Sequence, residues 1–172
     1  MRTTIAILSV LTLAALAFAG PKEKEIIPKS SKGWPITVLS KPFHVGDHTM
    51  KDFANPEAEG TEIRKKFELD TKLIPSSVYV GVWVGDLVTR NDNDFKNGSY
   101  QTKLLLNGKL VQVLNRKLSG KESLKIKKLV IRVDRKYLQT GMNELVIKAG
   151  GKSGNLDDFE VHRVIIDRNF PK

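Results

Sequence analysis

The chain has 172 residues, 40% hydrophobic and 28% charged, with 29 Lys and Arg against 19 Asp and Glu and a formal net charge of +10. It has no cysteine, which excludes a disulfide-stapled scaffold, a zinc–thiolate site and a cysteine nucleophile. The length suits one domain with a core large enough to need no staples, and the plentiful, alternating apolar residues exclude a wholly disordered chain.

Residues 1–19 read as a cleaved secretory signal peptide. Met1-Arg2 is the charged start, Ile5 to Leu16 the apolar run, and Ala17-Phe18-Ala19 the small-residue cleavage signature. That run is shorter than the roughly 20 apolar residues a membrane span takes. No second run of that length follows, so a soluble, secreted or periplasmic mature chain is expected. Residues 20–33, rich in Lys, Glu, Pro, Ser and Gly, read as a flexible N-terminal segment. From Trp34 on, short apolar runs alternate with turn residues. This spacing predicts a single all-β domain over 34–172, a two-sheet antiparallel β-sandwich or barrel.

In chain order, the first strand is expected over 35–40. Ile63, Phe67 and Leu69 alternate with Glu62, Arg64, Lys66 and Glu68, so the next strand has one fully charged, wet face. Lys65 shares the apolar parity; its aliphatic stem is expected to lie over the core edge with its ammonium in water. Val78, Val80, Val82 and Val84 make one face of a third strand, with Tyr79, Gly81, Trp83 and Gly85 on the other. Its glycines leave room for a ligand against the Trp83 indole, or for the indole to fold flat on the sheet.

Residues 91–99 read as a long Asn/Asp loop with Phe95 at its tip. Asn107-Gly108 then predicts a two-residue hairpin turn. That turn pairs Leu106 with Lys109 and Leu104 with Val111, and sets Leu104, Val111 and Val113 on one face against Leu105, Leu110 and Leu114. Leu129, Ile131 and Val133 alternate in the next strand, followed by one helical turn at 135–139 and a strand carrying Leu145 and Ile147. In the last strand, Phe159 to Ile166, the apolar parity switches at His162-Arg163, which predicts a bulge or a strand buried on both faces.

Tyr137-Leu138 followed by Gly141-Met142-Asn143-Glu144-Leu145-Val146-Ile147 resembles the leucine, G-x-N-x-L-x-I ending of galactose-binding-like jelly rolls. Asn107-Gly108-Lys109 resembles their N-G-K hairpin. Asn155-Leu156-Asp157-Asp158-Phe159 resembles the N-L-D closing strand of carbohydrate-binding modules of this fold, and Glu57-Ala58-Glu59 their acidic opening strand. The order of these motifs, over about residues 57–167, carries the resemblance. It implies a jelly roll with a non-catalytic binding role, and a structural calcium ion held by Glu57 or Glu59 and by Asp157.

Trp83, Tyr79, Phe95 and Tyr100 are the candidate platforms for sugar stacking, with sheet-surface packing as the other reading of Trp83. Lys127 and Arg132 belong to a basic run of eight Lys and Arg from Lys117 to Lys136, a candidate patch for an anionic glycan or other envelope polymer. A solvated strand face would look the same. Nucleic acid is not the expected partner of an exported chain without aromatic–basic interleaving. His44 and His48 lie four apart, but Gly46 between them breaks any helix, so their zinc-like spacing is read as accidental. No nucleophile elbow, Walker loop, H-E-x-x-H or dinucleotide fingerprint is present, and no enzyme is expected. The competing reading is an envelope structural or protein-interaction sandwich that binds no sugar.

Overall fold

The structure is a computed structural model that describes residues 27–29, 33–70, 74–120, 125–150 and 156–169. Residues 1–19, read from sequence as a signal peptide, lie outside the described residues. Strands β1 (Ile36–Leu39), β2 (Phe43–Val45), β3 (Glu62–Leu69) and β4 (Ser77–Gly85) are followed by a short helix α1 (Asn93–Asn97). Strands β5 (Lys103–Leu106), β6 (Lys109–Val113), β7 (Lys127–Asp134), β8 (Gly141–Lys148) and β9 (Phe159–Asp167) complete the chain.

One sheet runs β1-β9-β4-β7, with β2 also pairing with β9; the other runs β3-β8-β5-β6. Every pairing between named strands is antiparallel. Apart from the β1–β2 break and the β5–β6 hairpin, each connection crosses from one sheet to the other. This is the antiparallel two-sheet jelly roll that the resemblance implied.

Alternation builds the core. Val78, Val80, Val82 and Val84 are all at most 1% exposed and face Ile63, Phe67, Leu104, Leu106, Leu145 and Ile147 across the sandwich within one buried cluster. Each such side chain contributes on the order of 1.5–3 kcal/mol by leaving water. The outer face of β3 is as polar as its sequence requires: Arg64 pairs with Glu62 at 2.8 Å and with Glu144 on β8. The Arg64 guanidinium holds Glu62 below its ordinary ionisation range.

Four local features differ from the expectation or add to it. Residues 27–29, within the stretch read as flexible, run beside the end of β3, where Glu68 N donates to the Pro28 carbonyl and Lys29 pairs with Glu68. The loop at 91–99 contains α1, capped by Asp92 accepting from Asp94 N at 2.8 Å and closed by Gly98 at φ +81. In the hairpin, Leu106 does pair with Lys109, but β6 carries an extra residue. A bulge puts Leu104 opposite Gln112 rather than Val111, and Leu114 leaves the strand in a 3-10 turn that buries it completely. In β9 the parity switch is a bulge: Trp83 faces Arg163 while Val84 faces Val161, leaving His162 as the extra residue.

The hairpin and the turn before β8 are stitched together by two asparagines. Asn107, at φ +50 in the tight turn, donates to Tyr137 O and Asn143 Oδ1 and accepts from Glu144 N. Asn143, 1% exposed, donates to Gln139 O and Gly141 O and accepts from Gln139 N. The N-G-K and G-x-N motifs are thus two halves of one hydrogen-bonded node.

Candidate functional site

The outward positions of β4 include Tyr79, Gly81 and Trp83. The β4–β7 register sets Arg132 beside Tyr79, Val130 beside Gly81 and Lys128 beside Trp83. On the other flank, β9 sets Asp167, Ile165 and Arg163 beside the same three residues. Trp83 is half-buried, with Lys128 Nζ 5.2 Å and the Arg163 guanidinium carbon 5.5 Å from its ring centre. Ile165, outward-facing yet 5% exposed, and buried Gly81 show that side chains lie across this face. The face therefore carries an aromatic plate flanked by two cations, each held against the ring by its quadrupole. Tyr79 follows two positions beyond Gly81, about 13 Å along the strand from Trp83.

The structure brings together three of the residues chosen from sequence: Tyr79, Trp83 and Arg132. Lys127 sits one step out of phase, opposite Val84 on the inward parity of β7. Phe95 is half-buried on α1 rather than at the tip of an open loop. Tyr100 lines a separate pocket at the loop end, with His48, Asp86, Leu156, Asp157 and Asp158. Burial there, then Asp94 and Asp157, push the Tyr100 hydroxyl above its ordinary ionisation range. Two contributors went unchosen. Lys128 shares the alternation of Arg132 and was legible from it. Arg163 reaches the face only through the β9 bulge, which alternation alone cannot place.

The loop end is organised by Asp158. Its Oδ1 accepts from Asp47 N and His48 N, both at 3.0 Å, and lies 3.2 Å from His44 Nε2. Its Oδ2 lies 3.0 Å from His48 Nδ1. A Cβ at Gly46 would sit 1.8 Å from Asp158 Oδ1, so only glycine admits the carboxylate. The two histidines do meet, on one aspartate. His44 is fully buried, its Nδ1 donating to the Asn55 carbonyl. His48 is raised above its ordinary pKa by its hydrogen bond to Asp158 and the charge of Asp47. Its contribution to stability is therefore full in acid and lost as the pH rises through that raised value.

Among the described residues, Asp47, His48 and Asp158 form a group whose potential ligand atoms lie within 4.8 Å of one another. Glu57, Glu59 and Asp157 do not form such a group. Glu57 accepts from Thr49 Oγ1 at 2.9 Å, Glu59 Oε2 from His44 N and Asn55 Nδ2, and Asp157 Oδ2 from Val88 N. Each of these carboxylates thus has one oxygen engaged by a protein donor, and the three belong to separate local networks rather than to one set of converging ligands.

No protein-family model matches the chain, and no curated protein matches it. Among solved structures, a family 35 carbohydrate binding module from an environmental isolate has 12% identity, covering 81% of this chain and 99% of its own, with a TM-score of 0.41. An uncharacterized protein from Listeria monocytogenes EGD-e has 16% identity over 66% of this chain, with a TM-score of 0.40; the match takes in 10% of that protein's length. No helix among the described residues is long and apolar enough to cross a membrane.

Proposed function

We propose that this chain is an exported, non-catalytic glycan-binding module, with its ligand on the outer face of β4, β7 and β9. Export rests on the leader read in residues 1–19. The observation that carries the binding reading is Trp83 between Lys128 and Arg163, with Tyr79 and Arg132 further along the same face. An aromatic plate packs against the C–H face of a pyranose ring, while flanking cations take carboxylate or sulfate groups. Acidic glycans are therefore preferred over neutral ones. The sequence resemblance to carbohydrate-binding modules supports the same reading.

Affinity electrophoresis against polygalacturonate, heparin and dextran tests it. The acidic polymers are expected to retard the protein, less so as salt rises, and dextran to have little effect. Trp83→Ala should weaken binding at least about tenfold, the effect of removing a central aromatic anchor. Replacing both Lys128 and Arg163 with Ala should flatten the salt dependence. Absence of retardation by every glycan at low salt, or full binding by a folded Trp83→Ala protein, overturns the proposal.

A further inference from the structure

A separate cleft lies where the first strand breaks. Ser40, Lys41 and Pro42 separate β1 from β2, and at this gap the seam between the sheets opens into a cleft of about 650 Å³. Its apolar lining is Val38, Leu39, Pro42 and Phe43. Into it β3 contributes Lys65, which pairs with fully buried Leu145 and shares the inward row of Ile63, Phe67 and Leu69.

That row buries three of its four members completely and leaves the fourth at the rim of the cleft. Ile63, Phe67 and Leu69 are at most 1% exposed, whereas Lys65 is half-buried. No carboxylate lies within ion-pair distance of its ammonium among the described residues. Glu59, on the same cleft, has its Oε2 taken by His44 N and Asn55 Nδ2. Lys41 adds a second cation to the rim. A lysine on a core-facing row forgoes the apolar burial a leucine would give there, and among the described residues no carboxylate comes within ion-pair distance of it.

We propose that this cleft binds a small amphipathic anion: a carboxylate carried on a ring-sized body with an apolar face. The carboxylate meets Lys65, with Lys41 beside it, and the ring rests on Phe43 and Pro42. The volume falls in the range of small-molecule pockets, and the lining sets its apolar residues beside polar Ser40, Lys41, Asn55, Glu59 and Lys65. This site shares no residue with the Trp83 face, so each stands or falls alone.

The test is amide chemical-shift titration of the full chain with glucuronate, benzoate, inorganic phosphate and glucose. A ring carboxylate is expected to give saturable shifts at residues 38–43 and 65, with glucose giving none. Lys65→Met keeps the stem and removes the charge, so it is expected to fold normally and weaken binding about tenfold or more. Lys65→Arg should keep most of the affinity. The proposal is overturned if neither ring acid shifts these amides, if phosphate alone does, if glucose binds as well as glucuronate, or if Lys65→Met binds as tightly as the parent.

Discussion

At the scale of single residues, the loop end concentrates acids whose roles differ sharply. Asp158 is satisfied by donors from the 46–48 turn, while Asp86 has an opposite environment. It stands at the end of β4 with φ +58, a conformation that aspartate tolerates better than most residues. Burial, then the charges of Asp52 and Glu160, push its ionisation above the ordinary aspartate range. The unfolded chain ionises at the ordinary value. Between the two values the folded state holds a proton that the unfolded state has lost, so stability from this residue falls as the pH rises through that window. Asp86→Asn keeps the left-handed backbone and removes the charge. Its melting temperature is expected to exceed the parent's at neutral pH, by on the order of a degree or two for so partly exposed a group. The difference should vanish in acid, where the parent carboxyl is protonated as well. Thermal melts of both proteins across that range check it; a deficit at neutral pH would mean that the Asp86 charge stabilises the fold.

At the scale of elements, the node between the β5–β6 turn and the start of β8 shows why two short motifs recur together. Asn143 has every side-chain hydrogen-bonding direction in use while almost wholly buried. Asn143→Ala strands Gln139 N and the Gln139 and Gly141 carbonyls, at a cost of about 2–3 kcal/mol. Asn143→Asp should be nearly as harmful, because an acceptor then faces carbonyls that only accept. Urea unfolding of both variants measures this, and a loss below about 0.5 kcal/mol for Asn143→Ala would show the node to be slack. The sequence made these elements legible because alternation and the Asn-Gly turn are local signals. The apolar rows of the core and the hairpin turn could be read before the fold was known, whereas the parity switch in β9 left a bulge as one of two readings. β2 and α1 could not, since three residues of strand and five of helix carry no period. Nor could the β6 bulge, which sets Leu104 opposite Gln112 although the turn pairs Leu106 with Lys109 as expected.

At the scale of the whole molecule, part of the charge behind the net +10 is sorted by the fold. Lys128, Arg132 and Arg163 gather on one sheet face, while Asp47, Asp86, Asp157, Asp158 and Glu160 gather at a loop end. Both the basic run and its phase are legible in the sequence, because Lys128 shares the alternation of Arg132 while Lys127 falls on the inward parity opposite Val84. The acids matter most for the calcium ion that the resemblance implied. An ion clamping the segments around Glu57, Glu59 and Asp157 would bind only the folded state and raise its stability in proportion to the logarithm of its concentration. Here those segments are already joined without it. Glu59 and Asn55 tie the 55–59 stretch to His44, Glu160 accepts from Asn55 N, and Asp157 anchors the start of β9 to Val88. Turning Glu59 or Asp157 toward a cation would strip partners from N–H groups, Val88 N among them, at about 1–3 kcal/mol for each one left buried. Calorimetric melts in millimolar calcium and in EDTA are therefore expected to coincide within about a degree, and Asp157→Asn is expected to lower both melting temperatures equally. A melting temperature that climbs steadily with calcium, and stops doing so in Asp157→Asn, would show instead that these carboxylates rearrange around the ion.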